Sequence, residues 1–391
     1  MNTFCTRILL TLFLAAALLS SCGKESTPIP EPKPPVVPVD PATTYTHIFR
    51  LGGDGYSCFR IPAIIRTKSG TLLAFAEGRK NDCADEGNID LVLKRSTDNG
   101  KTWGPLSVVW SDGDNTCGNP APIVDQNTGR IHLLMTWNFS TDAISSINDG
   151  SSKDTRRVYK TSSDDDGLTW AAVNEITSSV KRQGWGWYAT GPGHGIQLTK
   201  GANKGRLIVP CDYIEIGSGR KGYSHVIYSD DAGLNWKIGG ITPATAFNPN
   251  ESTVAELSDN KLLLNMRTSN NNNLRLNSTS ADAGLTWTTP VSALTLIDPI
   301  CQGSLVAADI NSQHVLFFSN PASTTRSNMT IKMSINDGST WTRQHTVFTG
   351  LSGYSDLALI SDTQIGILYE AGTAKYWDGI AYKTINLTDI K

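Results

Sequence analysis

Neither sign of charge prevails in this chain: 34 lysines and arginines stand against 36 aspartates and glutamates, a formal net charge of -2 over 391 residues. Without a basic field there is no sequence-independent attraction for a phosphate backbone, so nucleic acid is not expected as a partner. Any cation that holds an anionic ligand must therefore be placed locally. Beyond the first residues there is no apolar run long enough to cross a bilayer as a helix. Six histidines (His47, His132, His194, His225, His314, His345) and seven cysteines show no zinc-ligand spacing, and neither a metal nor another cofactor is expected. Setting aside Cys5 and Cys22 near the N-terminus leaves Cys58, Cys83, Cys117, Cys211 and Cys301, an odd number that cannot all pair within one chain. Cys58 with Cys83 or with Cys117 is open in an oxidising compartment.

What the N-terminus does contain is an export pattern. Arg7 precedes the apolar run Ile8 to Leu19, which is too short for a spanning helix, and Leu19-Ser20-Ser21-Cys22 resembles the lipobox of bacterial lipoproteins. The resemblance implies that residues 1–21 are a signal peptide and that a lipidated Cys22 is the sole membrane contact, in the envelope of a bacterium. Seven of the 18 prolines fall between Pro28 and Pro41, so residues 22–44 read as a semi-rigid polyproline tether.

From Tyr45 to Lys391 the composition is globular, and one pattern recurs. "STDNGKTW" ending at Trp103 returns as "SDDDGLTW" at Trp170, "SDDAGLNW" at Trp236, "SADAGLTW" at Trp287 and "SINDGSTW" at Trp341, at intervals of 67, 66, 51 and 54 residues. That is the period of a propeller blade with variable loops, and residues 45–391 hold about six such intervals. Short alternating segments such as "IDLVLKRS" and "MTIKMSI" precede the boxes and read as strands. The expected fold is all-β: a six-bladed β-propeller of four-stranded antiparallel blades. Within each box the aspartate is expected to accept backbone N–H bonds, the glycine to supply positive φ, and the tryptophan to bury between strands of its own blade. Repetition makes Asp98, Asp165, Asp231 and Asp282 structural, since a single site needs one acid and not one on every blade. The last copy carries Asn336 instead.

The chemistry must lie between the boxes. "FRIP" at Phe59–Pro62, followed by the repeated boxes, by "YATGPGHGIQLTKGANKGRLIVPCDY", "NESTVAELSDNKLLLNMRTS", "SGYSDLALI" and "ILYEAG" in that order, resembles the sialidases, retaining glycosidases that remove terminal sialic acid. The likeness implies that Arg60, Arg267 and Arg326 clamp the substrate carboxylate, for which planar, permanently charged guanidinium groups are suited. It implies that Glu370 orients Arg60 and that Arg79 meets the O4 side of the sugar. The attacked carbon itself bears a carboxylate, so a carboxylate nucleophile would meet like-charge repulsion, and a phenol with a base beside it avoids this. The matching positions are Tyr354 as nucleophile and Glu251 as base, Glu256 being the rival in the same segment. Of Asp82, Asp85, Glu86 and Asp90 in "NDCADEGNID", Asp85 carries the match for the acid that protonates the leaving oxygen. Trp137, Trp185, Trp187 and Tyr188 are candidate pocket walls, and His194 has no assigned chemistry. The implied activity is exo-α-sialidase action on sialylated glycoconjugates by a monomer. A non-hydrolytic sialic-acid-binding propeller and a sialyl transferase of the trans-sialidase kind are the alternatives.

Overall fold

The computed structural model describes residues 43–268, 270 and 273–391. The signal peptide, Cys22 and nearly all of the tether lie outside them. Antiparallel strands arrange themselves in sets of four along the chain. The first set comprises Cys58–Arg66, Leu72–Arg79, Ile89–Ser96 and Ser107–Trp110; the second, Thr116–Val124, Ile131–Asn138, Arg157–Ser163 and Asn174–Glu175. A single parallel pair, Ile89 with Thr116, joins these two into one sheet. The third set runs Trp185–Thr190, Leu207–Glu215, Gly222–Ser229 and Lys237–Ile241, and the fourth Pro249–Glu256, Leu262–Thr268, Leu274–Ser280 and Val291–Ile297. The fifth begins Ser304–Ile310, Gln313–Pro321 and Ser327–Ser334, and ends on the first half of the long strand Arg343–Ser361. The second half of that strand opens the sixth set, continued by Gln364–Gly372, Gly379–Asn386 and, from the other end of the chain, His47–Arg50.

This arrangement explains why the sixth set lacks a box. Every box follows the third strand of its set, where the chain turns into the fourth. In the sixth set the fourth strand is His47–Arg50, so no such hairpin exists.

The boxes close as turns by side-chain bonding. Asp98 accepts from Thr102 N (2.9 Å) and Thr102 Oγ1 (2.6 Å), while Ser96 Oγ donates to Asp98 and accepts from Gly100 N (2.8 Å each). The same bonds recur at Asp165, Asp231 and Asp282. Asn336 substitutes faithfully, with Oδ1 accepting from Thr340 N (3.0 Å) and Nδ2 donating to Thr340 Oγ1 (3.0 Å). Not one but two successive residues take positive φ in each box, as at Asn99 (60°) and Gly100 (83°).

The tryptophans depart from expectation. Three of them reach the preceding set, where Trp170 meets Phe75 edge-on (5.8 Å), Trp236 meets His132 (6.4 Å), and Trp103 meets Tyr382 (5.1 Å) of the sixth set, while Trp341 meets Phe318 (5.9 Å) of its own. The box glycines press on the same neighbours, Gly100 on Tyr382, Gly233 on His132 and Gly338 on Leu263. The box is thus a joint between sets as well as a lock on its own hairpin.

The first strand of most sets is buried on both faces, so its sequence does not alternate. Cys58–Arg66 and Thr116–Val124 are buried almost throughout, as expected for strands covered on two sides. Asp356, fully buried in the sixth set, accepts from Ile64 N (2.8 Å), Ser304 Oγ (2.7 Å) and His194 Nδ1 (2.8 Å), tying the first, fifth and third sets together. This is the place of His194: a structural bond away from the cavity described next. Burial works to lower its pKa, but Asp356 outweighs it and the net displacement is upward.

Candidate active site

Five of the first strands carry a register break: between Arg60 and Ala63, Gly118 and Ala121, Trp185 and Tyr188, Pro249 and Ser252, and Ser352 and Ser355. A bulge adds a residue and re-aims its side chain. One residue at or beside each of these breaks (Arg60, Asn119, Trp187, Glu251, Tyr354) lines one cavity of about 500 Å³. Two of the breaks hold a proline, Pro62 and Pro120, whose missing N–H is tolerated in a sheet only at such points. The residue ahead of each, Ile61 (φ 59°) and Asn119 (φ 52°), is left-handed. For β-branched Ile61 this is strained. It is held there by packing against Tyr354 and Cys301 and by its N–H donating to Glu370 Oε1 (3.2 Å).

The same cavity also receives Arg79, Asp85, Arg267 and Arg326, so the carboxylate clamp, acid, base and nucleophile positions converge. Glu370 stands beneath them, fully buried. It accepts from Arg60 Nε (2.6 Å) and Nη2 (3.3 Å) and from Tyr354 N (3.1 Å), fixing Arg60 and Tyr354 with one carboxylate. Arg326 donates to Ile300 O (3.1 Å) and lies over the rings of Tyr376 (4.7 Å) and Tyr354 (5.5 Å).

Tyr354 Oη donates to Glu251 Oε1 at 2.5 Å, and Arg267 Nη1 donates to both Glu251 Oε2 (2.6 Å) and Tyr354 Oη (2.7 Å). Burial pushes the phenol well above its ordinary pKa; Arg267 pulls it back only in part, and Glu251 adds to the rise. The phenol is therefore held neutral, with an acceptor for its proton already in contact. Glu256 accepts instead from Thr199 N (2.8 Å), Thr199 Oγ1 (2.6 Å) and Lys200 N (3.1 Å), outside this cavity, so of the two glutamates only Glu251 touches Tyr354.

Asp85 is the one member of its acidic cluster that lines the cavity. Asp90 is buried under Tyr56 (2.7 Å) and Asp82 caps Ala84 N (2.8 Å). The Asp85 side chain is 54% exposed and pairs with Arg79 Nη1 at 2.9 Å. Burial of its carboxyl works upward, but Arg79, then Arg60, hold it below the ordinary value. A disulfide joins Cys58, two residues before Arg60, to Cys83, two before Asp85. Cys83 O also accepts from Arg79 Nη1 (2.6 Å). The bridge thus ties the loop of Asp85 to the strand of Arg60. Cys117, Cys211 and Cys301 are free and buried.

Residues 70–367 match the BNR repeat-like domain family. A sialidase of Bacteroides fragilis is 33% identical over 87% of this chain and 64% of its own length. An exo-alpha-sialidase of Aspergillus fumigatus is 32% identical, with 86% of each chain covered. The chain belongs to the sialidase family. Among solved structures, the Hadza microbial sialidase Hz136 superimposes with a TM-score of 0.80 at 32% identity, over 89% of this chain and 69% of that one. A leech intramolecular trans-sialidase shares the fold at 20% identity (TM-score 0.78, 89% and 71% covered). The chain spans 64% of the Bacteroides relative and 59% of a sialidase from Micromonospora viridifaciens that is 32% identical over 97% of this chain.

Within this sialidase-family site three of the four aromatic candidates are corrected. Trp137 is buried and donates to Asp112 (2.7 Å), Trp185 stacks on Tyr213 (3.7 Å), and Tyr188 is fully buried against His225 (3.1 Å). These pack the third set and its neighbours. Trp187 alone of the four lines the cavity, under the guanidinium of Arg156 at 3.7 Å.

Arg156 is one of the residues that sequence reasoning missed. It donates to Asn119 Oδ1 (2.5 Å), Thr136 Oγ1 (3.0 Å) and Asn138 Oδ1 (2.9 Å), with no carboxylate in direct contact, and burial lowers its pKa to about 10. Glu77 was also missed; it accepts from Arg79 (2.6 Å) and Asn119 N (2.8 Å), linking the first two sets. Glu77 and Arg79 lie two apart in one strand, hence on one face, which is a signal legible in "AEGR". Nothing in "TRRVYK" separates Arg156 from Arg157, which pairs at the surface with Asp154 (2.6 Å).

Proposed function

We propose that this protein is a retaining exo-α-sialidase. The observation that carries the reading is the bond from Tyr354 to Glu251, made inside a cavity that Arg60, Arg267 and Arg326 also line. Arg60, Arg267 and Arg326 bind the carboxylate on the anomeric carbon. Asp85 gives its proton to the glycosidic oxygen as that bond breaks, while Tyr354 Oη forms a bond to the anomeric carbon and passes its proton to Glu251. Water then attacks the same carbon, losing a proton to Asp85. The phenol leaves with the proton returned from Glu251, and the sugar is released with its configuration retained. Arg267, donating to both Tyr354 and Glu251, compensates the charge that moves between them. The exposure of Asp85 supports hydrolysis over transfer, because the residue that activates water must be reached by it.

Release of free sialic acid from a fluorogenic α-sialoside by residues 45–391 tests the reading, beside Tyr354→Phe. Turnover lost in the variant, with the α-anomer as the first product seen by NMR, is the expected result. Unchanged turnover in Tyr354→Phe would sink the mechanism. Saturable sialic-acid binding without turnover by the unmodified chain would move it to the binding class. From the Ile8–Leu19 run and Cys22 alone we also infer export and lipid anchoring in a bacterial envelope. Incorporation of labelled palmitate that persists in Cys22→Ser would refute this.

A further inference from the structure

Arg60, Arg267 and Arg326 line one cavity but are anchored in two different ways. Glu370 pairs with Arg60 and Glu251 with Arg267, each at 2.6 Å. Arg326 has no carboxylate within ion-pair distance among the described residues, and its side chain makes one hydrogen bond to them, from Nη2 to the main-chain oxygen of Ile300 (3.1 Å). A paired guanidinium has part of its charge offset already, whereas one held by a neutral carbonyl keeps it for a ligand. The direction of Arg326 therefore depends on the direction of the Ile300 carbonyl.

That carbonyl belongs to a strained residue. Ile300 has φ of 58°, which a β-branched residue keeps only where its surroundings impose it. In a turn such as Asp298-Pro299-Ile300-Cys301, a left-handed third residue is ordinarily glycine or asparagine. Here both flanks are pinned. Cys301 N donates to Asp298 Oδ2 (3.0 Å), and Cys301 O accepts from Arg275 Nη1. Asp298 is 1% exposed; its N donates to Asn273 O (3.0 Å) and its Oδ1 accepts from Asn320 Nδ2 (3.1 Å). Asn320 Nδ2 donates also to Ile297 O (2.8 Å), and Nε of the fully buried Arg275 donates to Asn265 Oδ1 (2.8 Å). Residues of the fourth and fifth sets thus fix the chain before and after Ile300, and the left-handed link between turns its oxygen to Arg326.

We propose that Ile300 is a positioning residue, held left-handed by the buried network around Asp298 so that its carbonyl aims Arg326 at the substrate carboxylate. The inference rests on the sialidase reading, and its test keeps the two apart. Kinetics of residues 45–391 are measured on an aryl α-sialoside. Ile300→Gly takes the same conformation at no steric cost and keeps kcat/KM within about two-fold. Ile300→Pro forbids it while removing no hydrogen bond of the Ile300 N–H, which donates to none of the described residues. It raises KM about ten-fold with kcat little changed, the scale of one charge-assisted hydrogen bond made equally in ground and transition states. In an Arg326→Gln background the same Ile300→Pro step costs less than about two-fold, because nothing is left to aim. A step as costly there would mark Ile300 as merely structural, and a ten-fold loss in Ile300→Gly would give the effect to its side chain; either overturns the proposal. If Ile300→Pro does not fold, Asp298→Asn, which turns an acceptor of the network into a donor, takes its place in the cycle, and an unchanged KM would overturn the proposal. If the unmodified chain turns over no sialoside, the sialidase reading fails, and Kd for the 2,3-unsaturated sugar, which keeps the carboxylate, decides this inference through the same variants. No binding at all would overturn it.

Discussion

Tyr354 and Glu251, 103 residues apart, share a hydrogen bond of 2.5 Å, and Arg267 donates to both. The pairing sets how the base fails when it is altered. Glu251→Gln keeps the size of the side chain and an oxygen toward Arg267 but cannot accept a proton at neutral pH. We expect kcat on an aryl sialoside to fall by about 10² to 10⁴, with KM much less changed, because the proposed mechanism gives the substrate carboxylate to the three arginines and not to Glu251. Steady-state kinetics on the folded variant check this; a rise in KM alone would assign Glu251 to binding.

Asp85 makes a different prediction because its work depends on the leaving group. An aryl oxygen departs with little help, whereas a sugar hydroxyl needs a proton. Asp85→Asn should therefore lower kcat/KM on sialyllactose at least about 100-fold more than on an aryl sialoside. The sign of the pH effect follows from the surroundings. Arg79 and Arg60 hold the carboxyl below its ordinary value in the free protein, so the proton-donating form is lost as pH rises through a low pKa. Arg79→Gln removes the strongest attraction and leaves burial to push upward, so the falling limb of kcat/KM on sialyllactose should move to higher pH. A limb that stays in place or moves down would separate it from Asp85.

The repeat was legible in the sequence because each box is made by bonds two and four residues apart, such as Ser96 to Asp98 and Asp98 to Thr102. Arg60, Tyr354 and Glu370 were legible only through the family resemblance, since their bonds join residues 310 and 16 positions apart and no local pattern marks them. Glu77 escaped because its bond to Asn119 joins two sets, and Arg156 because its contact with Trp187 does. The aromatic candidates failed for a related reason. Whether a tryptophan is a wall or packing depends on what stacks on it, and Trp185 has Tyr213 where Trp187 has open cavity and Arg156.

The Cys58–Cys83 bridge closes a separation of 25 residues, for which chain entropy suggests about 3 kcal/mol of stabilisation. Thiol titration of residues 45–391 in denaturant should find three reactive cysteines before reduction and five after, matching buried free Cys117, Cys211 and Cys301. Cys83→Ser should lower Tm, and it should lower activity on sialyllactose more than on an aryl sialoside, because the loop it frees carries Asp85. Five thiols before reduction would remove the bridge from the account.

The boxes supply the sharpest contrast between two substitutions, one in the second box and one in the third. In the second box Asp165 accepts from Thr169 N (2.8 Å) and Thr169 Oγ1 (2.6 Å), which hold its carboxyl down at about 2. If such an aspartate served catalysis, Asp165→Asn would abolish turnover. Asn336 already closes the fifth box with the same geometry, so Asp165→Asn should leave kcat/KM intact and shift Tm only slightly. In the third box Gly233 has φ of +78°, and a Cβ there would fall within the ring of His132 in the preceding set. Gly233→Ala therefore adds a left-handed penalty to an overlap at a joint between sets, together about 2 to 4 kcal/mol. Thermal unfolding should show a large loss for Gly233→Ala, while the folded fraction keeps its kcat/KM because the joint is remote from the cavity. Equal loss of stability from both substitutions would mean that the hairpin alone, and not its seat against the neighbouring set, sets the worth of the box.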